Sequence, residues 1–342
     1  MLKKIKVEDA VGLKLAHDHT RILPGKFKGV GFRRGHIVRR DDVPELLNMG
    51  KKEVFVLSLA PGEVHEEEAA KRTARAVAGR NLKLGKPREG KVEFVSRIFG
   101  LLKVRVGPLT KINRIGAVIL STRHNHSIVH EGDAVAGTRV IPLFIRESKV
   151  ARAEEIGRRL GPVIEVVPIR PKKVGVLVTG SEIVEGRIED RSAGIVTGKA
   201  EALGSTVIRT AVVTDDPLLI AAEIGRMKRA GCQVIVTTGG LSVDPDDVTL
   251  AGIRRSGAEV VFYGTPVLPG AMFVFARLGK TVILGAPACV VHDPVTVLDL
   301  ILPRVLADDP VSAADVAPMG HGGLCLRCPV CRYPVCPFGK GA

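Results

Sequence analysis

Residues 234–249 read Val-Ile-Val-Thr-Thr-Gly-Gly-Leu-Ser-Val-Asp-Pro-Asp-Asp-Val-Thr. The first part of this run is short, apolar and β-branched, the pattern of a strand buried on both faces of a sheet. It breaks at Gly239 and Gly240, where the backbone is free to take positive φ and to approach a ligand closely. Ser242 and three carboxylates, Asp244, Asp246 and Asp247, come next, and a helical pattern starts at Val248. A loop that leaves the carboxyl end of a strand and opens a helix is where doubly wound sheets hold their ligands.

The surrounding chain keeps the same rhythm. From Pro171 onward, strands are predicted over 174–178, 206–213, 234–237, 260–263, 273–276 and 282–284. Helices are predicted over 192–203, 217–229, 248–256 and 294–306. Such alternation predicts an α/β domain with a mostly parallel sheet and helices on its faces. The earlier chain differs. Short strand candidates at 53–58, 92–95, 101–106, 117–121 and 139–145, bounded by Gly, Pro or charge, predict a β-rich roll or barrel-like module. Helices are expected at 42–50, 65–79 and 148–160, and Pro142 makes its strand an edge. The expected division is a β-rich N-terminal domain over 1–168, an α/β domain over 171–307, and a linker with a cysteine-rich tail over 308–342. A chain of 342 residues is long enough for two cores.

Charge is uneven. Residues 1–150 carry 30 Lys and Arg against 16 Asp and Glu, and residues 151–342 carry 21 against 20, so the first part holds almost all of the net +15. A basic surface can attract nucleic acid or anionic ligands. Aromatic residues are only 4% of the chain, too few for base-stacking platforms, and no groove-reading motif is present, so a solvated basic surface is the preferred reading over nucleic-acid binding. Acidic residues interrupt the N-terminus at Glu8 and Asp9, no apolar run reaches the ~20 residues of a membrane helix, and the cysteines form no disulfide framework. These features predict a protein of the reducing cytoplasm.

Three loop segments carry polar chemistry. Thr179, Gly180, Ser181 and Glu182 follow the first predicted strand of the α/β domain and can present donors to an anion; a tight turn explains Gly180 equally well. Asp216 precedes Pro217 and reads first as a helix cap. The backbone beside Gly239 and Gly240 can hold a phosphate or a polar heterocycle, and clustered aspartates next to it suit Mg²⁺; capping and a solvated loop account for them as well.

The succession of Thr179-Gly180-Ser181-Glu182, Asp215-Asp216, the segment from Thr237 to Thr249, Pro269-Gly270 and Leu284-Gly285-Ala286-Pro287 resembles the molybdopterin-binding domain. That domain is shared by molybdopterin adenylyltransferase and molybdopterin molybdotransferase, and the likeness covers about residues 171–307. The opening Val-Glu-Asp-Ala-Val-Gly-Leu-Lys-Leu-Ala-His-Asp of residues 7–18 is similar to the start of the molybdotransferase. The resemblance implies a three-layer α/β/α domain. It further implies a phosphorylated pterin dithiolene held by Thr179, Gly180, Ser181, Asp216, Thr238, Gly239, Gly240, Ser242, Thr249, Pro269, Gly270, Gly285 and Pro287. Asp247 matches the carboxylate on which the family's chemistry depends, Glu182 lies across the cleft, and Asp244 with Asp247 would hold Mg²⁺. The implied reaction inserts molybdate into adenylated molybdopterin within molybdenum-cofactor synthesis, in a homodimer that serves a molybdoenzyme or other cofactor-synthesis proteins.

The chain also departs from the pattern. The family's Pro-Gly-Lys-Pro becomes Pro269-Gly270-Ala271-Met272, its Gly-Leu-Pro-Gly-Asn-Pro becomes Gly285-Ala286-Pro287-Ala288-Cys289-Val290, and its Asp-Ser-Asn becomes Asp190-Arg191-Ser192. Loss of the Lys and the Asn supports an alternative, a non-catalytic carrier or sensor of the cofactor. Cys289 reads as a small core hydrophobe, with ligation of molybdenum as the rarer alternative.

Four thiols, Cys325, Cys328, Cys331 and Cys336, fall within twelve residues. Such density in a reducing compartment predicts soft-metal ligation, by Zn²⁺ or an iron–sulfur cluster, with His321 as an outer ligand; a redox-sensitive tail is the alternative. The spacing C-x2-C-x2-C-x4-C followed by Pro is near the ferredoxin pattern and does not match it.

Overall fold

The computed structural model describes residues 3–23, 27–56, 61–88, 90–141, 143–241 and 248–341. The chain divides into two compact units. The first comprises Met1–Ile98, Lys103–Arg123 and His130–Val166, and the second comprises Phe99–Leu102, His124–Val129 and Val167–Ala342. Two short pieces from within the first stretch of chain therefore belong to the second unit, where Leu101 joins the core.

The first unit is β-rich. A four-stranded antiparallel sheet is ordered Leu82–Leu84, Lys91–Ser96, Ala134–Val140 and Val118–Thr122. Helices Glu66–Val77 and Glu147–Leu160 lie against one another, so closely that a Cβ on Gly157 would sit 2.1 Å from the Ala76 carbonyl oxygen. Arg72 joins the pair by donating to both Glu147 and Glu154. The N-terminal segment pairs Lys3–Lys6 with Glu53–Val56 around a small core of Val7, Leu15, Phe32 and Leu46.

Two expectations change here. The strand expected over 139–145 divides, since the ladder partners of Ala134–Val140 and of Phe144–Arg146 are different strands; Pro142 lies outside the described residues. The strand expected over 101–106 ends at Val104, and Val106–Asn113 is a helix. Pro108 falls in the first turn of that helix, where its missing N–H costs nothing, so the β-branched Val104 and Val106 mislead.

The second unit is built on a six-stranded sheet. Its strands and helices run β1 (Lys173–Thr179), α1 (Ser192–Ala202), β2 (Thr206–Val213), α2 (Pro217–Arg229) and β3 (Val234–Thr238). They continue as α3 (Thr249–Arg255), β4 (Glu259–Tyr263), β5 (Val274–Leu278), β6 (Thr281–Ala286) and α4 (Val297–Leu306). Strand order is 2-1-3-6-5-4. Strands 2, 1, 3 and 6 are parallel, and 5 and 4 add an antiparallel edge. Alternate side chains of the buried strands enter opposite cores. Val174, Val176, Val234 and Val236 pack with α1 and α4, whereas Leu177, Ile235 and Ile283 pack with α2 and α3. The result is three layers, α/β/α. Fully buried central strands explain the continuous apolar runs in the sequence.

Candidate functional site

Chain order reverses between β1 and β3, since β2 lies on the far side of β1. In an open α/β sheet, a crevice forms at the carboxyl ends flanking such a switch point. Register brings Thr179 at the end of β1 level with Val213 on β2, and sets Val178 beside Thr238 on β3. Thr238 in turn pairs with Ala286 on β6. Residues 179–182, 214–216, 239–240 and 287 therefore leave the sheet at the same end.

Hydroxyl groups brace this end from within. Thr179 and Thr249 are buried, and their hydroxyl oxygens are 2.8 Å apart. The Thr249 hydroxyl also donates to the Gly239 carbonyl at 3.0 Å, and the Thr249 N–H donates to the Gly240 carbonyl. Gly239 has φ +90°, and a Cβ there would lie 2.1 Å from the Thr179 carbonyl oxygen. Gly240 has φ +54°, and its Cβ would meet the Thr249 hydroxyl at 2.6 Å. Both glycines are required because the turn after β3 lies directly on the end of β1. Thr238 is buried as well.

The turn after β1 is fastened by Asp215. One carboxylate oxygen accepts from the Ser181 N–H at 2.7 Å and from its hydroxyl at 3.0 Å. Its neighbour Asp216 accepts from the Leu218 N–H at 2.7 Å and caps α2, with Pro217 at the first helical position. The cap is the reading the sequence puts first for Asp216, whereas the resemblance gives that residue to the ligand; the turn itself is held by Asp215. Two adjacent acids carry no local signal of which one points back. Glu182 sits half-buried on the short helix Ser181–Val184.

Two further segments close on the same turn, and a third seats α4. Gly285 of β6 packs against Leu241 so tightly that a Cβ would lie 3.0 Å from it. The Tyr263 hydroxyl donates to the Leu241 carbonyl at 3.1 Å, a brace that local sequence does not reveal. Pro269 and Gly270 seat the start of α4: the Val297 N–H donates to the Pro269 carbonyl, and a Cβ on Gly270 would strike Val297 at 2.5 Å. Pro287 leads into the short 3₁₀ turn Ala288–Val291. Burial, and then nearby Asp293, push the Cys289 thiol up, which disfavours a thiolate ligand. Asp190 accepts from the Ser192 N–H and hydroxyl and so starts α1.

Ser242, Asp244 and Asp247 lie outside the described residues. Among the described residues, no group of three or more His, Cys, Asp or Glu is gathered to hold a metal ion. Of the described acids here, Asp215 and Asp216 each accept a backbone N–H. Also among the described residues, no helix is long and apolar enough to cross a membrane.

The second unit is thus a doubly wound α/β/α domain with a braced, glycine-lined switch point. Residues 175–307 match the family model of a probable molybdopterin binding domain. Residues 4–58 match a domain of unknown function. A molybdopterin molybdenumtransferase of Synechococcus elongatus is 26% identical over 211 residues, covering 53% of this chain and 51% of that protein. A CinA-like protein of Mycobacterium tuberculosis is 32% identical over 90 residues, covering 26% of this chain and 21% of that protein. The chain thus spans about a fifth of the CinA-like relatives it matches and half of the transferase. The solved molybdopterin biosynthesis enzyme MoaB of Thermus thermophilus aligns over 41% of this chain and 98% of its own, with 20% identity and a TM-score of 0.33.

Proposed function

We propose that this chain acts in molybdenum-cofactor synthesis, binding molybdopterin at the carboxyl ends of β1, β3 and β6 and inserting molybdate into its adenylated form. The observation that carries the reading is the turn at Gly239 and Gly240, which leaves no room for side chains at the switch point of a domain that matches this family model. Backbone N–H groups in such a turn suit a phosphate, and the Ser181 turn fastened by Asp215 forms the opposite wall. Thr179, Thr238 and Thr249 hold the floor, and Ser242, Pro269, Gly270, Gly285 and Pro287 belong to the loops around it.

In this reading Asp247 and Asp244 hold Mg²⁺, which would neutralise charge on the phosphoanhydride. Their roles rest on sequence position and the resemblance. In the same reading Glu182 moves a proton at the opposite wall. The activity requires adenylated molybdopterin and molybdate, and a homodimer is the proposed assembly.

A test is AMP release from adenylated molybdopterin in the presence of Mg²⁺ and molybdate. Release by the wild-type chain and its loss in Asp247→Ala are expected. Tight pterin binding without AMP release would instead establish the non-catalytic carrier or sensor, the reading favoured by Ala271 and Cys289 standing where the family carries Lys and Asn. Neither binding nor release would remove the proposal.

A further inference from the structure

The tail is absent from the site described above, and its architecture is unlike that of the rest of the unit. Residues 321–341 contain no helix and no strand beyond a single bridge between Leu324 and Leu268. They are nonetheless docked on the second unit. The Cys325 N–H donates to the Leu268 carbonyl, the Tyr333 hydroxyl donates to the Asp299 carbonyl, and Phe338 is buried in the core. A Cβ on Gly339 would lie 2.1 Å from the Leu300 side chain, so the end of the tail sits hard against α4.

Between these anchors the chain has little to hold it. Leu326, Val330 and Val335 are 74%, 76% and 85% exposed, so apolar burial does not fix the middle of the tail. Segments this short normally need a disulfide or a metal to hold one conformation. All six cysteines are free thiols. Cys325 and Cys336 are half-buried and pack against the core, Cys328 and Cys331 are exposed, and all four line one cavity of ≈ 400 Å³. Arg327 and Arg332 line it as well.

We propose that Cys325, Cys328, Cys331 and Cys336 ligate one iron–sulfur cluster in this cavity. The four thiols line one cavity, and among the described residues no three His, Cys, Asp or Glu gather to hold a single ion. Tetrahedral Zn²⁺ needs four sulfurs each about 2.3 Å from one centre. A polynuclear cluster instead divides the four thiolates among two or four irons and spreads its ligands around a larger body. Each thiol loses its proton as its S–Fe bond forms, and the guanidinium of Arg332 offsets part of the anionic charge that results, while Arg327 pairs with Asp293 beside the same cavity. The spacing of three cysteines at intervals of three, followed by Cys336-Pro337, lets one loop wrap such a body from several sides. The four proposed ligands lie outside residues 175–307, so the proposal stands whether or not the pterin reading does.

The experiment is iron, acid-labile sulfide and zinc analysis of the full chain purified without oxygen, with its visible spectrum, before and after reconstitution with Fe²⁺ and sulfide. Iron and sulfide in equal amounts, with a visible charge-transfer band, are expected. Cys328→Ser and Cys331→Ser, whose exposed side chains leave the core untouched, should each lose most of the iron, whereas Cys289→Ser should keep it. Far-ultraviolet circular dichroism identical to wild type excludes misfolding as the cause. Stoichiometric zinc held through the same cysteines would overturn the cluster. A chain that takes up no metal on reconstitution and reacts at all four tail thiols with a thiol reagent would overturn the site.

Discussion

At the carboxyl end of the sheet, Thr179, Thr249, Ser181 and Asp215 direct their polar groups at one another. In the tail of the same unit, Leu326, Val330 and Val335 face solvent and four thiols line a cavity. The first region is organised by the protein alone: strand register, two positive-φ glycines and a set of hydrogen bonds hold residues 179–181, 215, 239–240 and 249 together. Such preorganisation lowers the ordering cost of binding. The tail is anchored at its ends and underdetermined in its middle, the condition in which a bound centre contributes folding free energy. The two regions should therefore respond oppositely to mutation and to metal.

Gly239→Ala should have the largest effect. The added Cβ cannot avoid the Thr179 carbonyl, and the residue must keep φ +90°. A loss of about 3 kcal/mol or more is expected from combined strain and displacement of β1. Urea unfolding measures it, and an unchanged midpoint would break the claim that this end is rigidly braced.

Next is Thr249→Val, which keeps volume and deletes the hydroxyl shared by Thr179 and Gly239. A buried partner left unpaired costs about 1–3 kcal/mol. The change should appear in the unfolding midpoint and should weaken pterin binding, because the floor of the crevice shifts.

Glu223 on α2 sharpens the comparison through pH. Its carboxylate is buried and accepts from Arg209 at 2.5 Å and Arg226 at 2.9 Å. Burial alone would push the carboxyl up; the two guanidiniums outweigh it and hold the folded value below the ordinary one. Its stabilisation is therefore full above the unfolded carboxylate range, about pH 4.3, and is lost as pH falls through the lower folded value. Glu223→Gln should cost about 1–2 kcal/mol at neutral pH and flatten the acid limb of the stability curve. An acid limb that is identical in the variant would contradict the assignment.

The smallest effect belongs to Cys331→Ser in chain stripped of metal. Its exposed side chain makes no core contact, so the midpoint should move by less than about 0.5 kcal/mol. A larger shift would mean that the tail is braced like the sheet end and would erase the contrast.

Local signals carried much of this architecture. The helix Pro217–Arg229 has the bounds its sequence predicts, because an acid before Pro217 caps it and basic residues close it. The run at 234–237 and the break at Gly239 are equally plain, since a strand buried on both faces has no polar side to disguise it. What was not legible depends on distant chain. Tyr263 reaches Leu241, Asp215 turns to Ser181, and residues 99–102 and 124–129 join the second unit, all through contacts that no window of sequence contains. The helix at Val106–Asn113 was hidden by β-branched residues whose preference tertiary packing overrode. Gly239 shows a subtler limit: the sequence shows that freedom is needed there, and only the structure shows that the obstacle is the Thr179 carbonyl.

Calorimetric titration of molybdopterin into the oxygen-free protein tests the switch-point pocket most directly, with the wild type compared against Gly240→Ala. The account predicts saturable heat at one ligand per chain in the wild type and affinity at least tenfold weaker in the variant, where the new Cβ meets the Thr249 hydroxyl. Absence of heat in the wild type, or equal affinity in both proteins, would contradict it.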